Sequence, residues 1–223
     1  MNGKPFIDAT WIGKHLDDIV EKLGQHLQLL ILPMLAGFAI ALILGILALR
    51  RPSTVGPVTM VTGLLYTIPS LAAFAVLRPI FGLSLWTAVI PLATYTLLIL
   101  YRNIVAGLRS VPPEVHEAAI GMGYSDRTRL WRVELPLAVP LIMAGVRLAA
   151  VTTIGLVTVA AVIGADKFGG FGQFITEGLQ TNFPTKIYLG AVLSVVLAFV
   201  VDGLLVVLER RLTPWARARA ARG

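Results

Sequence analysis

Arg147 and Asp202 fall inside long apolar stretches of this sequence. A charge at the centre of a spanning helix costs about 2.5–3.5 kcal/mol on insertion scales, and it usually faces protein or water rather than lipid. The plain reading is that the two residues pair, or that Asp202 sits nearer a polar boundary. The sharper reading is that they line a solute pathway. A second group is Tyr66, Thr67, Pro69 and Ser70, within "YTIPSLA". A proline in an apolar helix frees backbone groups that need a protein-lined or wet partner, and a tyrosine face attracts a quaternary ammonium. A bare helix kink is the plain alternative here. Nucleophilic and metal chemistry have less support. Cysteine is absent, so no disulfide and no thiolate ligand exists. His15, His26 and His116 are scattered along the chain, which argues against a metal site. Only His26 touches an apolar stretch, at its edge, so the facing nucleophile and base of an intramembrane hydrolase are missing. Gly164, Gly169, Gly170 and Gly172 permit a tight turn but lack the helix and lysine context of a phosphate loop. No G-x-x-x-x-G-K-[ST] motif occurs, so the chain has no phosphate-binding loop of that form.

The elements that position these residues follow from composition. Of 223 residues, 57% are hydrophobic and 14% charged, against about 25% charged in a soluble domain; mean hydropathy is +0.82. A spanning helix needs roughly 20 mostly apolar residues. Five such spans are predicted: Leu27–Leu49, Val55–Leu77, Phe81–Tyr101, one within Leu135–Ile163, and Ile187–Leu208. The fold class is therefore all-α and polytopic. Residues 1–25 do not read as a signal peptide. Trp11, Ile12, His15, Leu16, Ile19, Val20 and Leu23 fall on one helical face, which suits a helix along the membrane interface. Residues 26–209 form the membrane domain, with a loop at 102–135, and residues 210–223 a basic tail. Residues 164–186 read as a Gly-rich external loop, re-entrant or not.

Lys and Arg placement predicts orientation. One set of flanks holds Arg50, Arg51, Arg102, Arg109, Arg127, Arg129, Arg132, Arg210, Arg211, Arg217, Arg219 and Arg222, the other Lys4, Lys14, Lys22, Arg78, Lys167 and Lys186. The first set is expected in the cytoplasm, with the N-terminus outside and the C-terminus inside. The net charge of +7 is then a membrane signature, and nucleic acid is not an expected partner.

The stretch "EAAIGMGYSDRTRLWRVELPLAVP" (residues 117–140) lies mostly in the loop between the third and fourth spans. Pro112 and Pro113 suit a first helical turn, with Glu114 and Glu117 near the positive end of the dipole. Val115, Ala118, Ala119 and Met122 share an apolar face. Gly121 and Gly123 can end this helix. Ser125 suits the N-cap of a second short helix carrying Arg127, Arg129, Leu130, Trp131 and Arg132, and Pro136 and Pro140 should break or redirect the chain into the fourth span. Two short helices with a bend make a docking element.

This stretch resembles the signature loop of permease subunits of bacterial binding-protein-dependent ABC importers. Their pattern is EAA, three residues, Gly, nine residues, an aliphatic residue, any residue, then Leu-Pro. It is met without gaps by Glu117, Ala118, Ala119, Gly123, Val133, Leu135 and Pro136. The resemblance covers most of the chain and is greatest to the osmoprotectant group, through "YTIPSLA", "VELPLAVPLIMAGVR" and "VIGADKFGGFG". Asp166, Lys167 and Phe168 depart from the usual form of the last stretch. The resemblance implies a type I importer permease fold in the bacterial inner membrane. Two permease subunits, identical or paralogous, would form the pore, and two ATPase subunits would dock on the helix containing Glu117, Ala118, Ala119 and Gly123. An external binding protein would deliver glycine betaine, choline, carnitine or proline betaine. This chain would bind no cofactor and catalyse no reaction itself. A permease for another small solute, such as an amino acid, and a non-transporting membrane scaffold are the competing functions.

Overall fold

The first apolar stretch folds as α2 (Leu16–Arg50), 35 residues long and preceded by α1 (Ala9–Lys14). At 1.5 Å per residue α2 is about 52 Å long, so it overhangs a hydrocarbon core of about 30 Å. The computed structural model describes residues 6–163 and 168–215; Lys4, Gly164, Asp166, Lys167, Arg217, Arg219 and Arg222 lie outside the described residues. Beyond α2 come α3 (Val55–Thr67), α4 (Ser70–Phe81), α5 (Leu85–Arg109), α6 (Pro113–Gly121), α7 (Asp126–Arg129), α8 (Leu135–Ala160), α9 (Gly172–Gln180) and α10 (Pro184–Leu212). Four helical stretches are long and apolar enough to cross a membrane, and the bent α3–α4 pair, when counted as one span, makes a fifth.

Helix α5 is the centre of the bundle. Its Leu92, Thr96, Leu100 and Ile104 are buried, as are Pro33, Gly37, Ala41, Gly45 and Ala48 of α2. The α2 set recurs every three or four residues, so it forms one stripe. A side chain on Gly37 would run into Thr96, and one on Gly45 into Ile104. Bilayers supply no hydrophobic drive between helices, so close approach through small residues must supply packing instead. On its other side α5 meets α8 in antiparallel fashion. A Cβ on Gly107 would stand 2.9 Å from the Ala138 carbonyl oxygen, and one on Gly145 would overlap Asn103. Leu100, Tyr101, Ile104 and Leu108 of α5 share one buried cluster with Ala41 and Ala48 of α2 and with Ala138, Ile142 and Ala149 of α8.

Several boundaries differ from the sequence expectation. The third span does not stop at Arg102: α5 continues to Arg109 because Ile104, Val105 and Leu108 keep the buried stripe going, while Arg102 occupies an exposed position. The connection between α5 and the next long helix is therefore residues 110–125. The second predicted short helix is not separate either. Asp126–Ala160 is one helical run of 35 residues, with a π-turn at Leu130–Glu134. The wider turn accommodates Pro136, which lacks an N–H and whose ring crowds the carbonyl four residues back in an ordinary helix. The amphipathic pattern at 11–23 is divided between α1 and the start of α2. Trp11, Ile19 and Leu23 pack against Phe171, Phe174 and Leu197, whereas Leu16 and Val20 are exposed.

The Gly-rich connection contains α9, wedged against α8 and α10. Gly170 has φ +51°, and a Cβ there would meet His26 at 2.7 Å. This turn lets the Phe171 N–H donate to Nδ1 of the fully buried His26, at 3.3 Å. The latch ties α9 to α2. His26 has a packing role, and among the described residues no group of three potential metal ligands forms.

Candidate functional site

Helix α6 begins as its sequence dictates, with Pro112 as N-cap and Pro113 at the first helical position. It ends in a Schellman motif: the Tyr124 N–H donates to the Ala119 carbonyl at 3.1 Å, and the Gly123 N–H to that of Ile120 at 2.9 Å. Gly123 has φ +78°, the left-handed conformation such a cap requires. The expected apolar face is split. Ala119 is buried and Val115 half-buried, but Ala118 and Met122 are exposed. The outward row is instead Glu114, Glu117, Ala118 and Gly121, spaced i, i+3, i+4, i+7. A small-residue seam flanked by two carboxylates at the dipole's positive end is left for another surface. Nothing stands within 4 Å of where a Gly121 Cβ would lie.

The next helix starts at Ser125, whose hydroxyl accepts from the Thr128 N–H at 3.3 Å. Behind α6 lies a charged network that sequence reasoning missed. Glu134 is 3% exposed. Its Oε1 accepts from Arg129 Nε at 2.9 Å and lies 3.2 Å from His116 Nδ1. Arg129 also reaches Asp126 at 3.0 Å. The hydrogen bond to Glu134 raises the Arg129 guanidinium above its ordinary pKa, against a smaller lowering by burial. Leu135 packs into the core below this network, and Pro136 lines a shallow hollow with Arg132 and Trp215.

The second group sits at a full break. Helices α3 and α4 meet at 87°, with Ile68 and Pro69 between them. Tyr66, Thr67, Ile68 and Pro69 are exposed and Ser70 half-buried. The freed Ile68 carbonyl accepts from the Tyr95 hydroxyl of α5 at 2.5 Å, and the Thr67 hydroxyl donates to Leu64 at 2.7 Å. Tyr66 meets Tyr95 edge-to-face, centroids 5.9 Å apart. Beside the break, Leu65, Ile68, Ala72, Ile90 and Tyr95 border a cavity of about 310 Å³. Sequence reasoning found the proline but not its partner; no local pattern links residues 68 and 95.

The third group is a pair. Arg147 donates two hydrogen bonds to Asp202, from Nε to Oδ1 at 2.8 Å and from Nη2 to Oδ2 at 3.0 Å. Glu209 lies 3.7 Å from Nη1. This fork-on-carboxylate geometry is the strongest form of such contacts. It joins α8 to α10, with both side chains 34% exposed.

Comparison with known proteins accords with this architecture. The profile of the family described as "binding-protein-dependent transport system inner membrane component" matches residues 37–214. The carnitine transport permease protein OpuCB of Listeria monocytogenes is 37% identical over 215 residues, covering 96% of this chain and 97% of that protein. The glycine betaine/carnitine/choline transport system permease protein OpuCB of Bacillus subtilis (strain 168) is 33% identical over 205 residues, 92% and 93% of the two chains. The osmoprotectant import permease protein OsmW of Salmonella typhimurium is 38% identical over 195 residues, 85% and 89%. Among solved structures, a chain of the inward-facing MetNI methionine ABC transporter matches with a TM-score of 0.75 at 21% identity, over 86% of this chain and 94% of that one. That likeness is one of fold: the type I importer permease architecture. The helices of this chain, its loop pattern and these relatives agree, and the chain belongs to the family of binding-protein-dependent transport system inner membrane components.

Proposed function

We propose that this chain forms the translocation pathway of an osmoprotectant importer. It would carry small methylated-ammonium solutes such as glycine betaine, choline, carnitine or proline betaine across the inner membrane. ATP is bound and hydrolysed by a separate pair of ATPase subunits; a second permease subunit, identical or paralogous, completes the pore; and an external binding protein delivers the solute. The names of the relatives support the substrate class, and family membership supports the partners.

One observation carries the mechanism: α6 is a capped helix whose outward row of Glu114, Glu117, Ala118 and Gly121 is uncovered. In this reading Glu117, Ala118, Ala119 and Gly123 form the helix that the ATPase grips, and Leu135 and Pro136 carry its movement into α8. The arginine-rich end is cytoplasmic by the positive-inside rule, which puts the N-terminus outside and the C-terminal tail inside. Tyr66, Thr67, Pro69 and Ser70 line the pathway, since they combine exposed polar groups with a break in the span. Arg147 and Asp202 brace α8 against α10. Selectivity rests mainly with the binding protein.

The test is uptake of radiolabelled glycine betaine, choline and carnitine by proteoliposomes holding the complete complex, with amino acids as controls. ATP-dependent uptake of at least one of the first three is expected. Uptake of amino acids alone would assign the chain to another solute, and no uptake with an intact complex would leave it a scaffold.

A further inference from the structure

We propose that Glu134 is a positioning residue: it ties α6 to the root of α8, so that a displacement of α6 reaches the span as one rigid movement. The proposal rests on the docking role given to α6 above. Its basis is the polar network behind that helix. Among the described residues, the His116–Glu134 contact at 3.2 Å is the one side-chain polar link from α6 to the long helix that follows. Otherwise α6 is held by the burial of Ala119 and the half-burial of Val115. A helix so lightly packed would slide or tilt under load.

The π-turn makes the tie possible. In an α-helix, residues five apart point about 140° away from each other. Hydrogen bonding from i to i+5 winds the chain less tightly, and the Leu135 N–H does bond to the Leu130 carbonyl. That brings Arg129 over Glu134, five residues on, at 2.9 Å. The arginine supplies the charge that a 3%-exposed carboxylate needs, because an unpaired buried charge is strongly destabilising. Arg129 is in turn fixed by Asp126 at 3.0 Å. The carboxylate oxygen is therefore held still from the α8 side before His116 reaches it from α6. Glu134 also falls at the one position that the signature leaves open between Val133 and Leu135, so the tie is separate from the signature residues.

The test uses the complete complex with its ATPase and binding protein, and reads solute moved per ATP hydrolysed. His116→Ala and Glu134→Leu are each expected to lower that ratio at least fivefold, while ATP hydrolysis continues and the ATPase still co-purifies. The double variant should be no worse than the worse single, as for two halves of one contact. Glu134→Gln keeps an acceptor oxygen and should retain at least half the wild-type ratio. A wild-type ratio in His116→Ala and Glu134→Leu overturns the tie. So does loss of the ATPase from either variant, because the tie leaves the docking face untouched. Amide hydrogen exchange at residues 117–121 of the purified chain reads the tie without any ATPase. It should quicken about tenfold in both single variants, and unchanged exchange overturns the proposal. A wild-type chain that retains no ATPase would instead defeat the docking role of α6, with the exchange result still deciding the tie.

Discussion

At Gly123 the backbone turns left-handed, at φ +78°, to close the Schellman cap of α6. That conformation costs an L-residue with a side chain roughly 1–2 kcal/mol, most for a β-branched one and least for asparagine. There is open space around the position, so the penalty is conformational rather than steric. Gly123→Val should insert at wild-type levels but lose stimulation of the ATPase, since relief of the strain displaces the end of α6. Gly123→Asn should keep most of it. Wild-type uptake by Gly123→Val would disprove the docking assignment. Sequence offered both Gly121 and Gly123 as ends of this helix, and the resemblance to the importer signature singled out Gly123. It could not point to Glu134, whose neighbours His116 and Arg129 become neighbours only once α6 folds back and the π-turn forms.

Among the elements, the broken span shows most clearly where sequence reasoning succeeds and stops. Pro69 announced an interruption, because it removes a donor and crowds the preceding turn. Sequence does not give the size of the bend, 87°, nor that Tyr95 satisfies the carbonyl left free at Ile68. A typical intramolecular hydrogen bond contributes about 0.5–1.5 kcal/mol. Tyr95→Phe should therefore lower the thermal stability of the purified chain. Tyr66→Ala removes an exposed ring beside the same break. It should cut the maximum uptake rate several-fold and leave the half-saturation set by the binding protein nearly unchanged. A large rise in half-saturation at constant maximum would instead place a primary solute site in the pore. The core stripe of α2 was readable in principle, since Pro33, Gly37, Ala41 and Gly45 recur every four residues. Length and hydropathy locate a span but do not say which face is small. The end of α5 was misjudged for a related reason: Arg102 on an exposed face interrupts composition without interrupting the helix.

At the scale of the whole molecule, two tests bear on orientation. The chain has no cysteine, so single thiols can be placed at Ser84, before α5, and Ser110, after it. In intact cells Ser110→Cys should react only with membrane-permeant reagents and Ser84→Cys with impermeant ones as well. Labelling of Ser110→Cys from outside would invert the topology. Orientation also gives the pair between α8 and α10 a dimension in time. Arg147 leaves the ribosome 55 residues ahead of Asp202. At about 5–20 residues per second the guanidinium waits roughly 3–11 s for its carboxylate. During that interval α8 carries an uncompensated charge and has reason to linger beside the insertion machinery rather than move into lipid. Only the arrival of α10 supplies the carboxylate that pairs with it. Asp202→Ala leaves that guanidinium without its carboxylate and should accordingly lower the amount of chain recovered in the membrane, read by immunoblot, before any defect in solute movement per chain shows.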